Sequence, residues 1–331
     1  MINTGHANGI NICLDVGITQ TRAWALESGK IVAQAKTFEG IRGSITTENR
    51  SPALNAIRQV IAECLKQIDC NGLDRKLDFV SAAGMATSEL GPFPLSHISG
   101  PAGLKELSRH VARREFPAKP SIPLFLVPGI RFGSDCDSLD AIRGEETLVM
   151  GFLVSGILSP GDALLNLGSH WKLIRTNSES QIVDSLTGTG GELMLAISRE
   201  TILKGNLPHE RPLEVLDEAL QTGRERAARH GLGRTLFLTR MDSQHHNLSP
   251  DQAYWQLTGA LLEDALVAFR PQLRGITRLL ISGHIPLATA WARTLSKFGM
   301  QIRVLTEEEV EKSFCAGLGE IISGANHSQS G

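Results

Sequence analysis

Ile10-Asn-Ile-Cys-Leu-Asp-Val-Gly-Ile-Thr-Gln-Thr-Arg-Ala-Trp-Ala-Leu26 is the stretch that decides the fold. Ile10 to Asp15 reads as a strand, Val16 to Thr21 carries a glycine and hydroxyls, and Arg22 to Leu26 returns to a β-rich run. Lys30 to Phe38 adds a further strand, so three short strands in hairpins precede any helix. At the turn, Gly17 lets the backbone approach a ligand closely, Thr19 and Thr21 offer hydroxyls, and Asp15 at the strand end can hold hydrated Mg²⁺. That combination suits a polyphosphate, with a plain hairpin carrying one polar turn as the alternative.

Further along, Ser51 as N-cap with Pro52 just inside opens a helix whose apolar positions are Leu54, Ile57, Ile61, Cys64, Leu65 and Ile68. Phe79 to Ala83 and Leu124 to Val127 read as buried strands that run into Gly84 and Pro128-Gly129. Glu145 to Ser155 reads as a helix leaving the first half. The second half repeats the order, with strands at Ala163 to Leu167, Lys172 to Thr176 and Ile182 to Ser185 around a Gly168-Ser169 turn. Helices follow over Glu192 to Leu203, Leu213 to Arg229 and Gln252 to Phe269. The chain then gives a strand at Leu279 to Ile281, a helix at Leu287 to Phe298, a strand at Ile302 to Leu305 and a helix from Glu307 to Ile322. The tail from Gly324 to Gly331 is expected to fray. This is a repeated α/β unit of ordinary domain size.

The second glycine turn, Leu167-Gly-Ser-His-Trp-Lys172, presents backbone N–H groups, a hydroxyl and an ammonium together. Glycine turns at equivalent places in two repeated halves are a stronger signal than either alone. A third turn, Ser282-Gly-His284, leads into a helix whose N-terminus could meet a nucleotide, with Gly283 as its candidate residue and an ordinary strand-to-helix turn as the equal alternative.

Composition bounds the function. The 331 residues suit two domains better than one. Hydrophobic residues at 41% and charged residues at 21% describe an ordinary globular enzyme, and a net charge of -2 gives no general attraction to nucleic acid or an anionic membrane. The longest apolar runs, such as Leu148 to Leu158, are about half of the roughly 18 residues a membrane helix needs. Cys13, Cys64, Cys70, Cys136 and Cys315 lack CxxC spacing, and Met1 to Gly9 has no secretory character, so a reduced cytoplasm is the expected setting and each cysteine reads as a small buried hydrophobe. The adjacent His245-His246 pair lacks metal-ligand spacing and reads as a solvated loop.

Between the halves lies Asp140-Ala-Ile-Arg-Gly-Glu-Glu-Thr147, four charges around a glycine at a helix start. Glu146 can simply cap the helix and complement its dipole, whereas Glu145 and Asp140 are the better candidates for chemistry. Taken together, Arg143-Gly-Glu-Glu-Thr147, Gly168-Ser-His-Trp-Lys172, Asp15 to Trp24, Gly84-Met85-Ala86-Thr87-Ser88 and Gly191-Glu192-Leu193 resemble the motifs of the 2-dehydro-3-deoxygalactonokinase family, within the sugar kinase and actin superfamily. The resemblance runs nearly end to end. It departs from the family pattern at Val16, Ile18, Thr87, Leu167 and Gly190, where the family carries Trp, a hydroxyl residue, Gly, Pro and Thr.

The resemblance implies an α/β fold of two duplicated ribonuclease H-like (actin-like ATPase) domains, residues 1–155 and 156–331, flanking an ATP cleft. It implies ATP-dependent phosphorylation of the 6-hydroxyl of a 2-keto-3-deoxy sugar acid, with Mg²⁺. Glu145 would be the base, with Asp140 second and Asp15 orienting the metal, while Gly17, Thr19, Thr21, Gly168, Ser169 and Gly283 would face the nucleotide. Arg143 and Lys172 are the natural partners of the substrate carboxylate, with Arg22, His170, Gly84 and Ser88 also facing substrate. Partners are then ATP and the sugar acid, and a homodimer is left open. The competing readings are a kinase for another sugar or for the gluconate epimer, a nucleotide sensor without turnover, and a polyphosphate hydrolase of the same superfamily.

Overall fold

The structure, a computed structural model, describes residues 9–47, 49–69, 76–118 and 120–328. Cys70, the first eight residues and the last three lie outside them. By contact density the chain divides into two units, one made of residues up to Gly161, Thr176–Ser185 and everything from Glu308 on, the other of Asp162–Arg175 and Leu186–Glu307.

In the first unit, β1 (Gly9–Val16), β2 (Thr21–Glu27) and β3 (Lys30–Thr37) form the expected meander, followed by α1 (Arg42–Thr47) and α2 (Ser51–Asp69). Ser51 is not the cap of α2. It is the first helical residue, and its N–H donates to the Asn49 side chain at 2.9 Å. The first intrahelical bond runs from the Leu54 N–H to the Arg50 carbonyl, so the chain enters the helix at Arg50, one residue before Ser51. Next come β4 (Lys76–Gly84), β5 (Ile98–Ser99), α3 (Leu104–Arg109), β6 (Ala112–Phe116), β7 (Ile122–Leu126), β8 (Ile130–Phe132), β9 (Asp140–Ile142) and α4 (Glu145–Val154). The main sheet runs β3-β2-β1-β4-β7-β6, with β1, β4 and β7 parallel. A small sheet, β5-β8-β9, delivers the chain to α4.

β1 is buried along nearly its whole length, which is why its sequence shows no alternation of polar and apolar residues. Ile10, Ile12, Leu14 and Val16 face one side, where Ala53, Ile57, Val60, Ile61, Cys64 and Ile68 of α2 close a core. Cys13 and Asp15 point to the opposite side. That side is served by the last helix, whose Phe314 ring lies 5.7 Å from the ring of Trp24.

The second unit opens with β10 (Ala163–Leu167), β11 (Trp171–Thr176) and β12 (Ile182–Gly188), then α5 (Gly190–Glu200), α6 (Asp217–His230), α7 (Leu232–His245), α8 (Pro250–Gln272), β13 (Arg278–Gly283), α9 (Ile285–Leu295) and β14 (Gln301–Val304). The closing helix, α10 (Glu307–Ser328), returns to the first unit and continues beyond Gly324, where fraying was expected. The sheet order β12-β11-β10-β13-β14 repeats β3-β2-β1-β4-β7, with β10 parallel to β13 and β13 to β14. The duplication read from the sequence is thus a duplication of topology.

Three fully buried tryptophans, Trp171, Trp255 and Trp291, centre this second core, with Trp171 and Trp291 edge to face at 5.4 Å. Gly190 lies so close to the Trp171 ring that any Cβ would overlap it, which accounts for glycine where the family pattern has Thr. His245 ends α7 and His246 caps it, so the expected solvated loop is a helix terminus. Cys13, Cys64 and Cys315 are buried, as expected of small hydrophobes, but Cys136 is exposed. No helix among the described residues is long and apolar enough to cross a membrane.

Candidate active site

In the first unit the carboxyl ends of the parallel neighbours β1 and β4 meet at the Val16–Gly84 pair. Crevices outside such strand ends are where α/β sheets place ligands. Gly84 has φ +77°, and a Cβ there would lie 2.6 Å from the Val16 carbonyl and 3.2 Å from Oδ1 of Asp15. Gly144, with φ +107°, brings the start of α4 to the same point, since its Cβ would lie 3.0 Å from the Gly84 Cα. Two residues restricted to glycine by backbone and space therefore bring together Asp15, the β4 end and the first turn of α4 with Glu145.

α4 is held there by α10. A Cβ on Gly317 would overlap the Thr147 carbonyl, and one on Gly151 would overlap the Ser313 carbonyl, so the two helices cross with their backbones in contact. Small residues one turn apart on each helix permit that approach.

Each expected site residue of this unit now has a place. Asp15 is half-buried and forms an ion pair with Arg22 at 2.6 Å, so Arg22 is a partner of the carboxylate and its guanidinium also lies 5.7 Å over Trp24. The Gly17 N–H closes the hairpin turn onto the Gln20 carbonyl at 2.8 Å, and the carbonyls of Gly17 and Ile18 accept the N–H groups of Ile41 and Arg42. Thr19 is half-exposed on this turn. Thr21 is a correction: fully buried, it donates its hydroxyl to the Glu39 carbonyl at 2.7 Å and does not face a phosphate. Ser88 is another, a buried hydroxyl committed to the Met85 carbonyl at 2.9 Å. Asp140 sits on β9 opposite Phe132, not at a helix start.

Arg143 departs furthest from expectation. Nη1 donates to the Thr87 carbonyl at 2.6 Å and to the Thr87 hydroxyl at 2.7 Å, while Nη2 donates to the Leu95 carbonyl at 3.1 Å and meets Nε2 of His97 at 3.0 Å. All four terminal N–H positions are thereby used inside the protein, so Arg143 anchors the 84–97 segment. Thr87, where the family pattern has Gly, supplies two of those contacts. The Glu145 carboxylate accepts the Arg143 N–H at 2.9 Å. Glu146, set aside as a cap, has no exposed surface, and both its oxygens accept the Gly144 N–H, at 2.9 and 2.7 Å. Burial above all, with the nearby Glu145 charge, pushes its carboxyl up to about 7.

The second unit repeats the arrangement at the Leu167–Gly283 pair, where β10 and β13 end side by side. Gly283 has φ +140°, and a Cβ there would lie 2.8 Å from the Leu167 carbonyl. The Gly168-Ser169-His170 turn is docked on the start of α5: the Glu192 N–H donates to the Ser169 carbonyl at 2.8 Å, and Nε2 of His170 lies 3.2 Å from the Glu192 carboxylate. Gly168, Ser169 and Gly283 are thus brought together at one strand-end edge, beside the N-terminus of α9. Lys172 is buried in β11 opposite Asn166.

A sequence profile of the 2-keto-3-deoxy-galactonokinase family matches residues 15–321. The chain belongs to that family. Comparison with curated proteins finds no match. Among solved structures, a protein from Sinorhizobium meliloti described as a candidate 2-dehydro-3-deoxygalactonokinase superposes with a TM-score of 0.73 at 20% identity, covering 94% of this chain and 97% of that one. Component A of (R)-2-hydroxyglutaryl-CoA dehydratase from Acidaminococcus fermentans gives 0.51 at 12% identity, covering 96% and 99%. Xylulose kinase from Lactobacillus acidophilus gives 0.50 at 10% identity, covering 97% and 90%. These likenesses carry the fold, that of the actin-like ATPases and sugar kinases, and membership of the galactonokinase family makes the chain a sugar kinase by descent.

The residues suit the groups such a kinase uses. Among the described residues no cluster of three or more His, Cys, Asp or Glu could cage a metal. A hydrated Mg²⁺ needs less, one or two carboxylates with the remaining positions filled by water and phosphate, and half-buried Asp15 fits that role. The glycine-restricted ends of β10 and β13 suit a nucleotide, because close backbone approach leaves N–H groups rather than side chains at the surface.

Proposed function

We propose that the protein phosphorylates 2-dehydro-3-deoxygalactonate at its 6-hydroxyl with ATP, giving the 6-phosphate. The observation that carries this reading is the convergence of Asp15, Gly84 and the Glu145 turn at one strand-end crevice in a chain of the galactonokinase family. Phosphoryl transfer demands positioning and charge neutralisation more than covalent chemistry from the protein. Mg²⁺ with ATP supplies neutralisation of the phosphate charge. Asp15, steadied by Arg22, orients the hydrated ion. Glu145 accepts the proton of the attacking hydroxyl, and its place on a turn fixed by Arg143 keeps that carboxylate in one position. Gly168, Ser169 and Gly283 offer backbone to the nucleotide.

A coupled ADP-release assay over a panel of 2-keto-3-deoxy sugar acids tests the reading. Galactonate-dependent ADP, exceeding that with the gluconate epimer, is expected; ADP independent of any sugar acid overturns it. Glu145→Gln and Asp15→Asn should each lower turnover about 100-fold or more, the scale of general-base and electrostatic contributions.

A further inference from the structure

We propose that Glu146 is a positioning residue for phosphoryl transfer: its buried carboxylate, closed onto the Gly144 N–H, sets the turn that aims Glu145. The inference rests on the reading of Glu145 as base. It begins from an expense. A carboxylate with no exposed surface is costly to keep in a protein, and a helix cap does not require it, since an exposed Glu or Asp would serve.

What the carboxylate does is local and directional. Both oxygens converge on one amide, that of Gly144, and Oε1 also receives the Thr147 hydroxyl at 3.3 Å. Gly144 is the residue with φ +107° and ψ −38°, where the chain swings from β9 into α4 against Gly84. A glycine in such a position is free to rotate unless its peptide is tied down, and Glu146 ties it. On the other side of the same turn, the Arg143 guanidinium is fixed on Thr87, Leu95 and His97. Between these two anchors lies Glu145, its own carboxylate on the Arg143 N–H. The charges acting on Glu146 are Glu145 and Arg143, both on its own turn. Gly317 brings backbone to that turn, and Gly84, which packs against it, has the Asp15 carboxylate beside it, Oδ1 lying 3.2 Å from where a Cβ of Gly84 would stand.

Its protonation should then be felt at Gly144. A neutral carboxyl accepts the amide less strongly than a carboxylate does. In the full chain labelled with ¹⁵N-glycine, the Gly144 amide shift should titrate with a midpoint near the value of about 7 given by burial, and Glu146→Gln should abolish that titration. In turnover, kcat should fall as pH drops through the same midpoint in the native protein, and this limb should disappear in Glu146→Gln, whose amide oxygen still accepts the bond at every pH. Glu146→Leu should lower kcat about 10-fold or more while the KM for ATP stays within about twofold, and Gln should lose less than Leu. A Gly144 amide indifferent to Glu146, or a folded Glu146→Leu protein with native kcat, overturns the inference. Absence of sugar-acid-dependent turnover in the native protein would instead overturn the proposed function, and the Gly144 titration would still decide whether Glu146 holds the turn.

Discussion

At the residue scale, adjacent Glu145 and Glu146 have different surroundings that their sequence does not distinguish. Glu145 is half-buried at the strand-end crevice, whereas Glu146 is wholly enclosed with a carboxyl raised from the usual 4.5 to about 7. Burial favours its neutral form, so between pH 4.5 and 7 the folded protein binds more protons there than the unfolded chain. Stability from this group is therefore complete below about 4.5 and declines as pH rises through 7. The loss amounts to about 3 kcal/mol. Glu146→Gln, which cannot ionise, should be more stable than the native protein at pH 8 by up to that amount and nearly equal to it at pH 4.5. Denaturant unfolding at the two pH values checks this, and an equal difference at both would contradict it.

Among elements, the α4–α10 crossing decides where Glu145 stands, and it depends on Gly151 and Gly317. Gly317→Ala would drive a Cβ into the Thr147 carbonyl, a backbone atom that cannot turn aside, so the helices must separate. A loss of about 1–3 kcal/mol is expected, the range for overpacking a tight contact, read as a lower denaturation midpoint with an unchanged slope. Turnover should fall as well, because α4 carries the first turn of the site. The elements themselves were largely legible. Long apolar runs marked β1, β4, β10 and β13, and the apolar stripe of α2 announced itself through its period. α1, α3, α7 and the small β5-β8-β9 sheet were not legible, being short or, for α7, polar on most faces with only Thr235 and Thr239 buried. Ser51 begins α2 instead of capping it, its N–H held by the Asn49 side chain, because the choice among neighbouring polar residues is settled only by the backbone path.

For the whole molecule, the topology makes the first unit depend on sequence far from the rest of it. α10, at the other end of the chain, serves the face of the first sheet that carries Cys13, Asp15 and Trp24. A chain ending before Glu307 should therefore lose protection of β1 amides in hydrogen exchange, although every residue of that sheet is present. The amides of β10 and β13 should be affected less, and equal loss in both sheets would contradict the division into units.

The sequence by itself determined the repeated three-strand opening, the glycine turns after β1 and β10, the family, and the presence of Asp15 and Glu145 at candidate positions. Apolar periodicity and glycine's backbone freedom act locally, so they are visible in one dimension. Tertiary structure alone decided the partners. Arg143, Thr21 and Ser88 had the chemistry to grip a substrate, but the Arg143 guanidinium closes on carbonyls 48 and 56 positions away in sequence and on the His97 ring, and the two hydroxyls are already used by Glu39 and Met85. Which of two adjacent glutamates is enclosed was settled in the same way, because burial and hydrogen-bond saturation are properties of the packed surroundings rather than of the residue.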